Sequence, residues 1–567
     1  MKKFLAITLA ILMVLSLVAC GDNGDKPGTD DPAVESSQPE SGGEETTEAE
    51  TEDPYADCEK EIVIGIVADP ATFFPWGGFS QGGRHIWPVL FQTLLSDVRD
   101  PETGIITRYH ALMESYEQID ATTFEIHLYE GIKDTDGNPF TAEDVVFCWD
   151  KFKEGPAAGN ISGLERYEVV DDLTIKCFCR DNLGIGDFEE ILTTTNMVTK
   201  EAFEASPDQF ATTAVGTTGY VLDEYVPGSY CVVKKADSYW HDEVNVTKDV
   251  DAGYIPTSDT SYVNSIRFEF ITDVNTMAIA LETGDIDIAT NVAPADVAVY
   301  RNDDKYALHQ YPDNMFGLMF NCSDSSEFNN INLRKALAYS ISAQDLLDVI
   351  YDGDGFILKA FGMEYQMGYQ KEWNDRDYFG QDEAKAKEYF DKYLAESGKK
   401  ADELQFEMIR MSTDVMEKYA SVVQAALIKL TGNNNVLNIT SYDSATYGTM
   451  KNDKGLWDLA IHNALSNKTY VLYNWKLTFN GYESTSGDDL CFTGDKKLWD
   501  LCNEAQTTLE PAACLAFQEH LDENCYFVNY VCGPAYWAGS PIVTRWALGA
   551  KNSIAVCAMN FDWSVKY

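Results

Sequence analysis

The sequence predicts a protein built of mixed α/β lobes. Strand-like and helix-like patterns alternate irregularly along the 567-residue chain, no internal repeat is visible, and apolar residues make up 45% of the total. Such an irregular order argues against a barrel or a solenoid, because both repeat one structural unit. Residues 58–567 are enough for two or three domains of usual size.

The first elements after residue 57 follow clear local patterns. KEIVIGIV (60–67) indicates a buried strand, which the breaker pair Asp69-Pro70 ends. A loop rich in glycine and aromatic residues follows, and HIWPVLFQTLL (85–95) then predicts a helix. TTFEIHLYE (122–130) predicts the next strand because its residues are rich in β-branched and aromatic types.

FTAEDVVFCWDKF (140–152) carries the start signal of a helix. Thr141 is the predicted N-cap, Asp144 occupies the reciprocal position of a capping box, and Phe140 can pack on Val145. Further along, helical periodicity predicts helices over LRKALAYSISAQDLLDVIY (333–351) and DEAKAKEYFDKYLAES (382–397), and short strands are predicted within 167–180, 219–226 and 229–236.

The N-terminal residues resemble a bacterial lipoprotein signal. Lys2 and Lys3 precede an apolar run, Phe4–Ala19, that is too short for a spanning helix. The run ends in Leu-Val-Ala-Cys, which is similar to the lipobox, and this resemblance implies that Cys20 becomes the mature N-terminus and carries lipid through its sulfur. Several acyl chains would hold the protein on a membrane surface. The alternative is an ordinary signal peptide followed by a chance cysteine.

The segment after Cys20 is predicted to be a disordered tether. Residues 21–57 consist largely of Gly, Pro, Ser, Thr, Asp and Glu, with Lys26 as the only base. Too few apolar side chains are present to offset the entropy of ordering, and like charges extend the chain further.

Charge and cysteine content limit the classes of function. The formal net charge of −50 argues against nucleic acid as a partner, because neutralising phosphates requires clustered Lys and Arg. No segment after the signal is apolar enough to predict a spanning helix, which leaves the lipid as the membrane attachment. The thirteen cysteines show no compact disulfide framework. Cys177 and Cys179 alternate along a predicted strand, and we interpret them as small buried apolar residues.

Four ordered blocks resemble the family 5 extracellular solute-binding proteins, the dipeptide- and oligopeptide-type receptors of ABC importers. The first block, 109–152, contains the Asp-Gly-x-Pro-x-Thr-Ala-Glu-Asp-Val pattern as DGNPFTAEDV. The second, 214–240, resembles the family's Gly-Thr-Gly-Pro-Tyr block, with Thr218-Gly219 in place of Gly-Pro. The third, 265–290, ends in GDIDIAT, and the fourth, 315–342, joins a Phe-Asn strand to an Arg-x-Ala-Leu helix.

This resemblance implies a fold of the type II periplasmic-binding-protein class. Two α/β lobes are joined by crossing strands, lobe 1 carries an additional subdomain, and hinge motion closes the lobes over a ligand. The implied divisions are a signal peptide at 1–19, a tether at 20–57, lobe 1 at 58–95 with 205–310 and 541–567, its subdomain at 96–204, and lobe 2 at 311–540.

The resemblance also implies how the protein is used. The loaded receptor docks on an ABC permease, whose ATPase drives import, and the lipid keeps the receptor nearby. We expect a monomer without a cofactor, outside the cytoplasm and anchored to the cell membrane. The long acidic tether favours the outer surface of a single-membrane bacterium, and a periplasmic location is the alternative.

One residue of the second lobe departs from the peptide-binding pattern. Peptide-binding members hold the ligand's amine with an aspartate in a Gly-Trp-x-x-Asp-like loop, and the corresponding stretch here is 457–470. Alignment on Asp458 places Ala464 at the tryptophan and Asn467 at the aspartate. A neutral asparagine loses the charge-assisted bond to an ammonium group, which is roughly twice as strong as a neutral one. The alternative ligands are therefore longer peptides, bound mainly through their backbone, or an oligosaccharide.

The remaining candidate ligand contacts come from both lobes. The family's first-lobe contribution is the loop after the first strand, here Phe79, Ser80, Gln81 and Arg84. Arg84 can meet a ligand carboxylate, and the alternative role is a surface salt bridge. The candidate set also includes Asn196, Phe316 and Asn463.

Rival functions have weaker support in the sequence. GFSQG (78–82) matches the hydrolase pattern G-x-S-x-G, but a loop separates Ser80 from the predicted strand, whereas a nucleophile elbow needs direct contact with one. Asp285 and Asp287 belong to the family block, which argues against glycoside cleavage. The seven histidines show no paired spacing for metal. We therefore predict a peptide receptor that is not an enzyme, with an oligosaccharide, nickel or haem as alternative ligands and a Ser80 hydrolase as a remote alternative.

Asn467→Asp should improve the binding of dipeptides with a free amine, because it restores the charge-assisted bond that the family pattern contains. Calorimetric titration of the wild-type and variant proteins with the same dipeptides would measure this. Unchanged affinity in the variant would contradict the placement of Asn467 at the amine site.

Overall fold

A computed structural model describes residues 58–567 apart from 79, 100–105, 182, 244–262, 466–469, 480–488 and 550–551. Its main feature is an eleven-stranded sheet. Two four-stranded sheets and a two-stranded ribbon complete the β-structure of these residues. The predicted mixed α/β class is confirmed.

The strands are mostly short, and two long ones stand out. In chain order they are β1 Glu61–Ile66, β2 Leu95–Arg99, β3 Ile106–His110, β4 Met113–Asp120, β5 Thr123–Leu128, β6 Leu164–Asp171, β7 Thr174–Cys179, β8 Tyr220–Val226, β9 Tyr230–Lys235, β10 Ser265–Phe270, β11 Ile288–Ala289, β12 Ala307–Phe320, β13 Phe356–Ile357, β14 Phe406–Met411, β15 Leu437–Tyr442, β16 Leu459–Leu465, β17 Phe527–Gly539, β18 Val543–Arg545, β19 Leu548–Gly549, β20 Ser553–Ile554 and β21 Asn560–Phe561.

The α-helices lie between these strands, and the described ones include none that is long and apolar enough to cross a bilayer. In chain order they are α1 Gly83–Leu90, α2 Ala142–Glu154, α3 Ile185–Leu192, α4 Lys200–Ala205, α5 Trp240–Glu243, α6 Val274–Thr283, α7 Val297–Arg301, α8 Ile331–Ala338, α9 Ala343–Tyr351, α10 Glu383–Ser397, α11 Asp414–Thr431, α12 Ser444–Met450, α13 Val471–Phe479, α14 Lys496–Thr508 and α15 Pro511–Asn524.

The two long strands, β12 and β17, occupy the middle of the large sheet, whose order is β15-β14-β16-β12-β17-β11-β1-β10-β9-β8 with β13 beside β17. They pair antiparallel from Ala307 opposite Gly539 to Met319 opposite Phe527. The Gly539 end of β17 also pairs with β11, whereas the Phe320 end of β12 pairs with β16. The two strands therefore join the two halves of the sheet.

Each half of the sheet has its own hydrophobic core. One core includes β1, α1, α2, β5 and the C-terminal residues, and encloses Trp76 and Trp149. The other packs against β14 and β16 and encloses Trp373 and Trp475. We call the elements β1–β11, α1–α7 and β18–β21 lobe 1, and β13–β16 with α8–α15 lobe 2. Separate cores allow each lobe to move as a unit. The exact boundaries drawn from the sequence stay predictions.

The ladder between β12 and β17 is interrupted near its middle. Pro312 lies opposite Pro534, and neither residue has a backbone N–H to donate. The register shifts between Pro312 and Met315, and again between Phe316 and Gly317. A segment with fewer ladder bonds bends at lower cost, so we expect the lobes to rotate about this point.

Lobe 1 also carries a small antiparallel sheet in the order β4-β5-β7-β6. Phe188 of α3 stacks on Phe124 of β5 with ring centroids 3.9 Å apart. Cys177 and Cys179 of β7 are both buried, and burial is the main cause that raises the pKa of each thiol. Both cysteines are thus small core residues, as their alternation along the strand predicts.

The helix predicted over 140–152 is confirmed as α2. The Asp144 carboxylate accepts the backbone N–H of Thr141 at 2.7 Å, as expected for a capping box. Phe140 and Val145 are both buried in the lobe 1 core. The helix predicted over 382–397 is confirmed as α10, with Asp382 as its N-cap.

Two predicted helices differ from the observed ones. The helix predicted over 85–95 is wrong beyond Leu90, because Leu95 begins β2 and pairs with His110 of β3. The single helix predicted over 333–351 is two helices, α8 and α9. The side chain of Ser342 accepts the N–H of Asp345 at 3.0 Å and so caps α9, which starts a new helix at that point.

Two histidines near the middle of the large sheet have low pKa values. The pKa of His309 is lowered to about 4 by desolvation and, to a smaller extent, by the charge of Arg99. The pKa of His462 is lowered to about 3 by desolvation and, to a smaller extent, by the charge of Lys451. The His309 ring stacks on Trp546 at 5.6 Å, and its Nε2 is buried without a hydrogen-bond partner in the part of the chain described. Both rings are neutral at physiological pH.

His309→Phe should make the fold less sensitive to acid. Below an ordinary histidine pKa of about 6.5, the unfolded chain binds a proton that the folded protein accepts only near pH 4, so stability falls as the pH drops through this window. Phenylalanine preserves the stacking and should remove about 1–2 kcal/mol of this loss at pH 5.

Urea unfolding at pH 7 and pH 5 measures the effect as the difference in unfolding free energy between the two conditions. The control is His127→Phe, whose ring is 39% exposed and which should retain the wild-type difference. The same pH dependence in His309→Phe and the wild type would contradict the assignment.

Candidate functional site

A cavity of about 370 Å³ lies in lobe 1. Its walls come from the loop before α1 and α1 itself, from β2 and β3, from the end of α2, from residues 193–196 and from the segment around β20. The volume falls within the range of small-molecule sites. Its lining combines the aromatic residues Trp87, Phe91, Tyr109 and Phe152 with polar groups that include Ser80, Arg84, Gln92, Asp97, Asn160, Asn196 and Ser553.

Two glycines hold the start of α1 in this wall. A Cβ at Gly82 would overlap the carbonyl oxygen of Ala68, and a Cβ at Gly83 would overlap the ring of Trp87. Only glycine allows so close an approach of backbone to its neighbours. The first turn of α1, which includes Arg84, is therefore packed tightly against the chain that follows β1.

Ser80 uses its hydroxyl to close the loop before α1. Its Oγ accepts the N–H of Gly83 at 3.0 Å and lies 3.4 Å from the carbonyl oxygen of Pro70, to which it can donate. The loop between Ile66 at the end of β1 and Ser80 prevents the direct strand-to-serine junction that a hydrolase elbow requires. Ser80 shapes the cavity wall.

Arg84 brings a positive charge to the cavity. Its Nε lies 3.1 Å from Nε2 of His85, and no carboxylate of the described chain lies within ion-pair distance of its guanidinium. His85 is buried, and its Nδ1 accepts the N–H of Ile554 at 3.2 Å. Burial lowers the pKa of His85 far below its usual value, and the positive charge of Arg84 lowers it further. The ring of His85 is therefore neutral.

Asn196 belongs to another wall of the same cavity. Its Nδ2 donates to the carbonyl oxygen of Pro75 at 3.2 Å, and its backbone oxygen accepts the indole N–H of Trp76 at 3.0 Å. These bonds tie the turn at Asn196 to the loop that follows β1. The structure thus brings together the candidates Ser80, Arg84 and Asn196.

The other candidate residues lie apart from this cavity. Phe316 is paired with Asn463 across β12 and β16, and Asn463 Nδ2 donates to Asn314 Oδ1 at 3.1 Å. Asn463 Oδ1 is buried and has no partner among the residues described. Gln81 is exposed beside the α1 loop. Three candidate positions fall outside the described residues: Cys20, Phe79 and Asn467.

The C-terminal wall of the cavity was not anticipated from the sequence. Gly549 and Ser553 line it, on strands β19 and β20 that pair with each other. Leu548 of β19 also pairs with Arg99 of β2, which brings the C-terminal segment against the start of the chain. No local motif in residues 549–556 signals this position, since it depends on pairing between distant strands.

A buried charged network borders the cavity. Asp97, which lines the cavity, accepts bonds from Arg108 Nε at 2.8 Å and from Arg108 Nη2 at 2.9 Å. Arg108 also donates to Glu189 at 3.0 Å and to Glu190 at 3.4 Å, and its side chain is only 6% exposed. Charges removed from water need such partners, so the network is tightly constrained.

Tyr470 reaches this network from lobe 2. Its hydroxyl donates to Glu189, and the Arg108 guanidinium lies 5.1 Å from the centre of its ring. Tyr116 of lobe 1 donates to the other Glu189 oxygen at 2.7 Å. We call Asp97, Arg108, Glu189 and Tyr470 the interlobe network. It is one of the contacts that join the lobes besides the β12–β17 pair, another being the ion pair between Arg301 and Asp354.

Most of the chain matches one known protein family. Residues 108–485 match the family described as bacterial extracellular solute-binding proteins, family 5 Middle. The chain belongs to this family. The resemblance drawn from the four sequence blocks is therefore confirmed.

The names of two curated relatives of this solute-binding protein state a ligand. It is 24% identical to the periplasmic oligopeptide-binding protein OppA of Escherichia coli over 472 residues, which cover 77% of this chain and 80% of OppA. It is 25% identical to the glutathione-binding protein GsiB of Salmonella paratyphi A over 306 residues, or 52% of this chain. That second match spans 54% of GsiB, about half of its length.

Solved structures show the same fold. The unliganded open form of the periplasmic murein tripeptide binding protein MppA superposes with a TM-score of 0.72, over 89% of this chain and 97% of MppA. The sequence identity is 16%, so this likeness concerns the fold alone. The predicted two-lobed periplasmic-binding fold of the solute-binding protein is confirmed.

Tyr470→Phe should loosen the contact between the lobes. The variant keeps the ring over Arg108 but removes the hydroxyl bond to the charged Glu189, which contributes about 1–3 kcal/mol. Faster amide hydrogen exchange in α3 and α13 is the expected result.

Tyr167→Phe is the matched control, because it also removes a tyrosine hydroxyl that donates to a carboxylate, here Asp150 within lobe 1. This control should leave exchange in α13 unchanged. If exchange in α13 is also unchanged in Tyr470→Phe, the hydroxyl does not hold the lobes together.

Proposed function

We propose that this protein is the extracytoplasmic receptor of an ABC importer and captures a peptide between its lobes. The observation that carries this proposal is the position of the cavity beside the contact between the lobes. Asp97 lines the cavity and is held by Arg108, and Arg108 also contacts Tyr470 of lobe 2. A ligand in the cavity would therefore lie next to the place where lobe 2 meets lobe 1.

The cavity chemistry supports a peptide as the ligand. A peptide backbone presents alternating N–H donors and C=O acceptors, and side-chain amides such as those of Asn160 and Asn196 can both donate and accept. The aromatic surfaces of Trp87 and Phe152 suit apolar side chains. The names of OppA and GsiB, an oligopeptide-binding and a glutathione-binding protein, favour the same class of ligand.

An oligosaccharide is the second candidate. Flat aromatic faces and neutral hydrogen-bonding groups also suit sugar rings, and the cavity contains both. Metal is less well supported, since no group of three or more His, Cys, Asp or Glu side chains in the described regions is arranged to hold an ion. Recognition of haem, and catalysis by Ser80, have no supporting observation.

Closure would complete the site. Rotation at the Pro312–Pro534 position brings lobe 2 towards the cavity, and a ligand shifts the population towards the closed state only as far as it binds that state better. We retain as candidate contacts of the closed form Gln81, Phe316 and Asn463, which lie apart from the cavity, and Phe79 and Asn467, which fall outside the described residues.

The attachment to the membrane is part of the same proposal. A lipid on Cys20 would keep the receptor at the surface where its permease lies. The acidic segment 21–57 would act as a tether that raises the local concentration of receptor without fixing its orientation. A monomer is sufficient for this cycle, because the two lobes of one chain form the cleft.

Thermal unfolding of residues 58–567 with panels of peptides, oligosaccharides and divalent metals tests the ligand class. A ligand at 100 times its dissociation constant should stabilise the fold by about 2.7 kcal/mol. We expect stabilisation by peptides. Stabilisation by sugars or metals alone would contradict the peptide assignment.

Ala157→Trp locates the site in the same assay. Ala157 lines the cavity, and an indole there should occupy the space, so that ligand stabilisation disappears. Ala298→Trp, at an exposed position of α7, is the matched control and should retain the ligand effect. Equal stabilisation of both variants by peptide would place the binding site elsewhere.

A further inference from the structure

The cavity contains one charge that no contact in the described structure neutralises. Among the described residues, the charged ones that line it are Arg84 and Asp97. Asp97 is 2% exposed and accepts two bonds from Arg108, so its charge is already matched. Arg84 has no comparable partner within the described residues.

The contact between Arg84 and His85 does not satisfy the guanidinium. Both ring nitrogens of His85 face an N–H donor, Ile554 at Nδ1 and Arg84 at Nε2, but a neutral imidazole carries one proton and accepts at only one nitrogen. Nε2 is the atom that faces Arg84 Nε at 3.1 Å. Even where Nε2 accepts this bond, a neutral ring does not balance the charge of the guanidinium, and no described carboxylate lies within ion-pair distance of Arg84.

One acidic residue near enough to interact with Arg84 through its charge is Asp313 of β12, and no described ion pair joins the two side chains. Tyr311 and Asp313 are two residues apart on β12. Burial raises the pKa of both side chains, and the positive charge of Arg84 lowers it in part. The one hydrogen bond described for the Asp313 carboxylate comes from the side-chain amide of Asn314.

We propose that Arg84 anchors a carboxylate group of the ligand, so that the cavity selects anionic peptides or the free C-terminus of a peptide. A guanidinium binds a carboxylate through two parallel bonds, which fixes both position and orientation. The chain has a formal net charge of −50, which repels anions, so a fixed cation is needed to hold one in the cavity. This inference rests on the proposed receptor function and names the ligand group.

Three tripeptide libraries identify the carboxylate. The first has free C-termini and lacks Asp and Glu, the second is the same with amidated C-termini, and the third is amidated and contains Asp and Glu. The wild type, Arg84→Met and Arg84→Lys are incubated with each library, and retained peptides are measured by mass spectrometry after desalting. Arg166→Met, which replaces an exposed arginine of β6, is the control.

The wild type and Arg166→Met should retain the first or the third library at least about tenfold better than the second. Arg84→Met should lose this preference, and Arg84→Lys should retain part of it. Preference for the first library identifies the C-terminus, and preference for the third identifies an acidic side chain. Equal retention of all three by the wild type, or an unchanged preference in Arg84→Met, would overturn the proposal.

A smaller probe separates this inference from the peptide assignment. Retention of no library by the wild type would refute the peptide receptor, and the pair N-acetylglycinate and N-acetylglycinamide would then test Arg84 alone. Thermal stabilisation by the carboxylate and not by the amide, lost in Arg84→Met, supports the anchor. Equal shifts with both probes, or with both proteins, would overturn it.

Discussion

The antiparallel pairing of β12 with β17 is the constraint on which the rest of the structure depends. These strands pair with both halves of the large sheet, so the ladder between them joins the two halves. The ladder also contains its own weak point, where Pro312 lies opposite Pro534. Two residues without N–H groups reduce the local hydrogen bonding while both strands remain in place. The lobes can therefore rotate but cannot separate.

A second contact opposes that freedom. Tyr470 of lobe 2 donates to Glu189 within a network of buried charges in lobe 1, and this network also holds Asp97 at the edge of the cavity. Buried charges are costly to leave unpaired, so the network favours one arrangement of the lobes. A ligand that binds beside Asp97, as we propose, would lie close to the contact that resists opening. Such an arrangement allows a modest difference in binding energy to shift the population of closed receptor.

Much of the fold could be predicted from the sequence because the relevant forces act locally. The capping box of Thr141 and Asp144 predicts α2, and helical periodicity predicts α10. The prediction was less accurate where one residue fits two different local structures. Ser342 fits the apolar period of a continuous helix, but its hydroxyl caps a new one. The two-lobed architecture followed from the order of four family blocks, a pattern that propensity alone does not contain.

The candidate site was likewise predicted in part from local sequence and in part only from the folded structure. The sequence alone predicts the family and the mixed α/β class, and it names Ser80, Arg84 and Asn196 among the candidate ligand contacts, which the structure shows in the lining of one cavity. Only the tertiary structure decided that Ser553 closes the cavity wall and that Tyr470 meets the charges of lobe 1. It also decided that the guanidinium in the cavity contacts a neutral histidine and no described carboxylate. The physical reason is that pairing and burial between distant segments leave no periodic pattern in the residues that take part.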